Sequence, residues 1–369
     1  MTGPREHRDG PARLDALDWA RGLAVLIMMQ AHVADAWTHP ADRTAQAYAY
    51  LTMLGGLAAP LFLWLAGLTL VLGGEAVLLR THTARAAWQR MVQRGLEIFI
   101  LAFLFRGTAF VFNPGGMVIT LFRVDILNIM GLALVGAGLV WASVRSRIGR
   151  LAVFAGAAVA IAMVTPLVRV AAWVDLLPVW WQWYWRPAGE HTVFTLFPWA
   201  GFVYGGCASG LVIAAARRAD RLWWLRGGLI ASGVALVLLG LGTATLPTIY
   251  QQSSFWSSSP TFFAVRSGTL LTVLGIIDTV GAWSRPRTWL APLAQLGRHS
   301  LLIYWIHVQL VYGWASQPLH RSLTIGQMAV GYGLLCGAMY LLIPVAARVQ
   351  SLWGTPSRID PQPRSTASA

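Results

Sequence analysis

The sequence predicts an all-α fold, a polytopic integral membrane bundle of about ten transmembrane helices with both termini in the cytoplasm. Of its 369 residues, 56% are hydrophobic and only 11% are charged, whereas soluble domains carry about a quarter charged residues. The apolar residues fall into runs of membrane-spanning length, and most arginines lie between those runs. This composition excludes an ordinary soluble enzyme and a disordered protein.

Ten segments contain the roughly 20 mostly apolar residues that a spanning helix needs. Backbone polar groups in lipid must be hydrogen-bonded within their own segment, so each segment is expected to be a helix. In chain order the segments are residues 17–36, 54–74, 95–112, 121–142, 150–172, 193–216, 223–246, 261–283, 290–314 and 324–349.

The arginines predict the orientation of these spans. Lysine is absent, so all 28 basic residues are arginine, and the net charge is +14. With ten spans, the arginine-rich segments all face one side, while the opposite loops carry few, namely Arg43, Arg186 and Arg321. The positive-inside rule puts the rich side and both termini in the cytoplasm. The sequence therefore predicts a multi-pass protein of the cell inner (plasma) membrane that does not bind nucleic acid.

We expect one transmembrane domain over residues 13–350, between disordered cytoplasmic tails at 1–12 and 351–369. Cys207 and Cys336 both lie in apolar runs, so they offer neither a disulfide framework nor a metal-ligand spacing. No metal site is expected.

The first span has an alternative interpretation. A secretory signal peptide also has basic residues, then a short apolar stretch, here 22–31, then a small-residue cleavage motif such as Ala34-Asp35-Ala36. Because Gln30 and His32 interrupt the apolar stretch, we favour a retained helix.

Ionisable residues inside spans are costly and are functional candidates. His32 and His307 each lie fifteen residues into their spans, which puts both about 22 Å from the cytoplasmic face. Asp125, Asn128 and Arg266 lie about 6–10 Å from the outer face. These side chains are expected to line a water-filled cavity open to the outside. Imidazole is suited to accepting and returning a proton near neutral pH.

Structural roles remain open for several of these groups. Arg123 and Arg266 can extend to lipid headgroups, and Asp125 can make an interhelical hydrogen bond. On the cytoplasmic side, Arg21 can pair with Asp278 or Glu97 in an ion-pair lattice. Alternatively, the arginines of that layer bind the phosphates of a cytoplasmic donor.

Five sequence segments together resemble the heparan-alpha-glucosaminide N-acetyltransferase-like family of membrane acyltransferases. Its opening pattern, Leu-Asp-x-x-Arg-Gly followed by an apolar run and a closing polar residue, is matched within residues 13–32. Residues 59–67, 125–131, 197–201 and 296–307 resemble later segments of the family in order.

The resemblance implies transfer of an acyl group from cytoplasmic acetyl-CoA, or another acyl-CoA, to a hydroxyl or amine of an extracytoplasmic carbohydrate. His32 matches the polar position that closes the first span. In the lysosomal member that position is Asn, and the active His lies in the following luminal loop. The nearest such residue here is His39, so the choice between the two stays open.

Residue roles follow from the resemblance and from the polar layers together. We expect the bilayer and an extracytoplasmic carbohydrate acceptor as partners, and the choice between a monomer and a homodimer stays open. The catalytic candidates are His32, His307, His39 and Asp125; the substrate-binding candidates are Arg266, Arg123, Asn128 and Trp199; the acyl-CoA-binding candidates are Arg21 and Arg298.

Two other functions fit the same polar residues. In a proton-coupled transporter or flippase of a sugar-linked or anionic substrate, buried His and Arg serve as proton-relay and anion sites. Such proteins usually contain internal repeats and broken mid-membrane helices, and the sequence shows no clear sign of either. A membrane scaffold with purely structural ion pairs is the third interpretation.

Overall fold

A computed structural model describes residues 15–112, 117–192, 194–283 and 287–352. Within those ranges the chain is α-helical, with short 3-10 turns and no β-strand beyond two isolated bridges. The predicted tails lie outside the described residues, apart from 351–352. The helices are α1 Asp15–Trp37, α2 Gln46–Gly55, α3 Ala58–Thr81, α4 Ala84–Phe112, α5 Ile126–Ser143, α6 Arg147–Arg169, α7 Val179–Gln182, α8 Leu196–Arg218, α9 Leu222–Ala244, α10 Pro260–Trp283, α11 Ala291–Arg298, α12 Ser300–Tyr312 and α13 Ile325–Leu352.

Seven helical segments of the described chain are long and apolar enough to cross a membrane, and one of these segments joins two helices. They comprise α2 and α3 taken together, and α5, α6, α8, α9, α10 and α13. The three other predicted spans coincide in position with α1, α4 and the pair α11–α12, which is broken at His299. The all-α membrane fold is thus confirmed, while the count of ten and the orientation stay predictions.

Close helix crossings at glycines hold the central bundle together. A methyl group added at Gly67 of α3 would overlap the carbonyl oxygen of Val203 on α8, and one at Gly206 would overlap that of Trp64. The Cys207 thiol lies 3.5 Å from the Gly67 carbonyl oxygen. Small residues are common where membrane helices pack backbone to backbone, because dispersion contacts then replace the missing hydrophobic driving force.

A second crossing joins α1 to α11. Added methyl groups at Gly22 and Gly297 would overlap the carbonyl oxygens of Leu293 and Asp18, respectively. Beyond the break, α12 runs alongside α1, and near its end the Trp37 indole N–H donates to the Val311 carbonyl oxygen at 3.1 Å. The two segments are therefore parallel and are fixed at both ends, which determines the geometry of the site described below.

Ion pairs fasten other helices at their ends. The Glu75 carboxylate on α3 is buried and contacts Arg147 of α6 and Arg218 of α8. Asp278 of α10 pairs with Arg226 of α9 at 2.6 Å. Because these contacts link different helices, they fix how the helices pack.

The glycine crossing between α3 and α8 gives a stability prediction with a matched control on the same helix. Replacing Gly67 with Ala forces the two backbones apart, and overpacking of this kind costs about 1–3 kcal/mol. Replacing Gly73 with Ala meets nothing within 4 Å and should be neutral or slightly stabilising. The measurement is thermal melting in detergent; equal melting temperatures for Gly67→Ala and the wild type would contradict the packing argument.

Candidate active site

Two imidazoles meet in the interior of the bundle. His32 Nδ1 of α1 lies 2.9 Å from His307 Nε2 of α12, and the rings stack with centroids 5.1 Å apart. His307 is fully buried, and its Nδ1 lies 2.6 Å from the carbonyl oxygen of Ile303. The sequence put the two histidines at the same depth, and the structure brings them into direct contact.

Two tyrosines and a carboxylate surround this pair. The Tyr312 ring contacts His32 edge-on, and its hydroxyl donates to Asp35 Oδ2 at 2.8 Å. The Tyr304 ring makes a similar contact with His307. Sequence reasoning missed these three residues, although Asp35 follows His32 by three residues and so lies one helical turn further along the same face.

A cavity of about 1370 Å³ extends from His32 to a cluster of arginines. Its arginine end is lined by Arg21, Arg94 and Arg298, and its histidine end is lined by His32 and Arg266, among others. Arg21 and His32 lie eleven residues apart on α1, so the two ends are separated by about 16 Å. Residues from both of the polar layers expected from the sequence therefore line one cavity.

Asp125 and Asn128 form the beginning of α5. Asp125 Oδ1 accepts from the Leu127 N–H at 2.9 Å, and Asn128 Oδ1 accepts from the Asp125 N–H at 3.0 Å. Arg106 of α4 pairs with Asp125 Oδ2 at 3.1 Å. Asp125 lines the cavity, and among the described lining residues Asn128 does not appear. Burial, and secondarily the Asp125 charge, raise the pKa of nearby Tyr184 to about 12.

Arg266 brings a positive charge into the histidine end. Its guanidinium carbon lies 4.1 Å from the Phe262 ring centre and 5.7 Å from that of Trp199. Over the described part of the chain, no carboxylate lies within ion-pair distance of it. Trp199 and Arg123 also line this end of the cavity. The end thus offers a cation and an aromatic surface to a bound molecule.

The arginine end is built around one buried carboxylate. Asp18 is 2% exposed and pairs with Arg21 at 3.3 Å and with Arg298 at 3.1 Å. The suggested alternative partners of Arg21 are occupied, since Asp278 pairs with Arg226 and Glu97 pairs with Arg94. Both guanidinium groups remain partly exposed while they pair with Asp18. Each can therefore also bind an anion.

The remaining candidates divide by position. His39 is exposed, accepts from the Ala41 N–H through Nδ1 at 3.2 Å, and is not among the described residues that line the cavity. Gln309, which sequence reasoning missed, lines the cavity, and its buried Nε2 finds no hydrogen-bond partner in the described chain. No group of three or more His, Cys, Asp or Glu suited to a metal occurs within the described ranges.

A family model described as the catalytic domain of heparan-alpha-glucosaminide N-acetyltransferase matches residues 13–255. The chain belongs to this heparan-alpha-glucosaminide N-acetyltransferase family. No curated protein matched the chain. The matched region contains His32, Arg21 and Asp125, whereas Arg298 and His307 come from helices that follow it. Membership in the N-acetyltransferase family implies acyltransferase activity.

The Asp18 cluster yields a test of non-additive stability. Arg21→Gln and Arg298→Gln each leave Asp18 with one of these two guanidinium groups, so each should lower stability by about 1 kcal/mol or less. The double variant removes both, and because breaking the pairing of a buried carboxylate costs up to about 3–5 kcal/mol, its loss should exceed the sum of the two single losses. The measurement is the melting temperature of the wild type, the two single variants and the double variant, all without an acyl donor. Adding Asp18→Asn to the double variant should restore stability, and strictly additive effects would contradict this account.

Proposed function

We propose that the protein is an integral membrane acyltransferase that moves an acetyl or other acyl group from a cytoplasmic acyl-CoA to an extracytoplasmic sugar hydroxyl or amine. The observation that carries the proposal is the continuous cavity between the arginine end and His32. Acyl-CoA carries phosphates at one extremity and the reactive thioester at the other, and the cavity has guanidinium groups at one end and the His32 imidazole at the other. Family membership supports the reaction class.

The donor would bind with its phosphates at the arginine end. Arg21 and Arg298 present guanidinium groups, whose planar donors suit phosphate oxygens. From there a pantetheine arm is an extended chain that can reach along the cavity toward His32. The positive-inside rule supports a cytoplasmic position for this end, so the acceptor would approach the histidine end from the other side of the membrane.

The chemistry at the histidine end would be direct acyl transfer. His32 takes the proton from the acceptor hydroxyl or amine as its oxygen or nitrogen bonds to the thioester carbonyl carbon. Arg266 stabilises the negative charge that develops on the carbonyl oxygen. The carbon–sulfur bond then breaks, and the proton held by His32 passes to the departing thiolate. The products are the acylated sugar and free CoA.

Trp199 supports a carbohydrate acceptor. Its ring lines the histidine end and packs against the ring of Phe194, which also lines it. Aromatic faces beside a guanidinium group suit a sugar ring, which has apolar faces and polar edges. The seven apolar helices and the arginine distribution support our proposal that the protein lies in the cell inner membrane.

The cavity is also compatible with a transport function. Arginines line it from one end to the other, which suits passage of an anionic or sugar-linked substrate. Uptake of such a substrate into proteoliposomes without any acyl donor would favour transport. Acyl transfer by the same preparation, without uptake, would favour the enzyme.

The choice of base is tested by two histidine variants. His32→Ala removes the imidazole at the cavity and should lower acyl transfer at least a hundredfold, because general base catalysis contributes about 10²–10⁴-fold. His39→Ala changes an exposed residue away from the cavity and should behave like the wild type. The measurement uses purified protein, labelled acetyl-CoA and a panel of amino sugars and neutral sugars. The reverse result would move the base to the loop after α1.

The donor site is tested by changing both arginine and donor. Arg298→Gln should raise KM for acetyl-CoA about tenfold, the usual effect of losing a charged hydrogen bond. It should leave KM unchanged for the acetyl thioester of N-acetylcysteamine, which has no phosphates. Arg90→Gln is the control, because Arg90 is exposed and is not among the described residues at the cavity. An equal rise of KM for both donors would exclude a phosphate contact.

A further inference from the structure

We infer that His307 is a positioning residue that holds His32 in the tautomer protonated at Nδ1, so that His32 Nε2 is the base. The inference rests on the proposed function and assigns different roles to two histidines that the sequence treated alike. It follows from a chain of two hydrogen bonds, which runs from the Ile303 carbonyl oxygen of α12 through His307 to His32.

The first contact fixes the proton on His307. The Ile303 carbonyl oxygen lies 2.6 Å from His307 Nδ1, and a carbonyl oxygen can only accept. Nδ1 must therefore carry the hydrogen, since two lone pairs at that distance would repel. In a neutral imidazole the other nitrogen is then an acceptor, so His307 Nε2 has a lone pair.

The second contact transfers this assignment to α1. His32 Nδ1 lies 2.9 Å from His307 Nε2, and with a lone pair on His307 the hydrogen between them belongs to His32. His32 Nε2 is consequently unprotonated. Since His32 lines the cavity and His307 does not appear among its described lining residues, the free lone pair belongs to the ring that can meet a substrate.

The surroundings favour the neutral form of His307. It is 0% exposed, and across the described ranges no carboxylate lies within ion-pair distance of it. The titratable groups facing the pair are Tyr304, which contacts His307, and Tyr312, which contacts His32 and donates to Asp35. A buried imidazolium without a carboxylate partner would be costly. His307 is therefore expected to be neutral, as the assignment of its two nitrogens requires.

A neutral orienting partner suits acyl transfer from a thioester. His32 Nε2 gains one proton when the new carbon–oxygen or carbon–nitrogen bond forms, and it must release that proton to the thiolate when the carbon–sulfur bond breaks. A carboxylate partner would hold the imidazolium more tightly by direct attraction. The imidazole of His307 orients the ring without adding a full negative charge.

Nitrogen NMR of the full-length protein reads the tautomer directly. With ¹⁵N-labelled imidazoles and His32 assigned by its loss in His32→Gln, wild-type His32 should show a protonated Nδ1 and an unprotonated Nε2. This readout needs no substrate, so it remains informative if the protein proves not to be an acyltransferase. A wild-type His32 protonated at Nε2 would overturn the inference.

Two substitutions of His307 separate positioning from packing. His307→Gln puts an amide oxygen near the former Nε2 and can still accept from His32, so kcat should stay within about tenfold of the wild type. His307→Phe fills the space without an acceptor, and kcat should fall at least about a hundredfold, since misplaced catalytic groups commonly lose that much. KM for acetyl-CoA should be unchanged in both.

The control is His299→Phe, a like substitution at the break before α12, where the imidazole contacts the Gln295 carbonyl oxygen at 3.0 Å. It should keep the wild-type kcat and the NMR pattern of His32. If His307→Phe misfolds by size-exclusion chromatography, the wild-type spectrum and the His307→Gln kinetics still decide. Full activity in a folded His307→Phe variant, or inactivity of a folded His307→Gln variant, would overturn the inference.

Discussion

The parallel alignment of α1 with α11–α12 is the constraint on which the site depends. Glycines at their crossing bring the backbones together at one end, and the Trp37 to Val311 hydrogen bond fixes the other. Between these points α1 presents a carboxylate, an imidazole and a second carboxylate toward the same neighbour. The partners are Asp18 with Arg298, His32 with His307, and Asp35 with Tyr312. The close crossing keeps the two backbones near enough for all three of these side-chain contacts.

The same contacts explain how a membrane-spanning bundle tolerates a polar interior. An unpaired charge in a low-dielectric interior is expensive, so buried charges are paired and hydrogen-bonded. Asp18 and Asp125 follow this rule, each with an arginine partner. Arg266 has aromatic rings in place of a carboxylate within the described chain. No described carboxylate therefore neutralises its charge, which agrees with its position at the cavity.

Helical periodicity and depth predicted the fold and the shared level of the two histidines, because rise per residue is nearly constant. Asp125 was harder to interpret. The apolar residues 118–122 extend the pattern of the fourth span backward, but they form a 3-10 turn, and α5 begins only at Ile126. Asp125 and Asn128 thereby cap a helix. Likewise Arg21 pairs with Asp18, one turn earlier on the same helix, while Asp278 and Glu97 pair with other arginines.

The division of the site along the chain has a chemical consequence. The region that matches the N-acetyltransferase family contains His32, the proposed base, while the helices after residue 255 contribute its hydrogen-bond partner His307 and the second guanidinium of the arginine end, that of Arg298. An imidazole alone interconverts between tautomers, so a lone histidine at the end of α1 would present the correct nitrogen only part of the time. The hydrogen bond to His307 of α12 would hold His32 in one tautomer. In the proposed mechanism the last third of the chain therefore orients the base, and residues of that part of the chain also line the cavity.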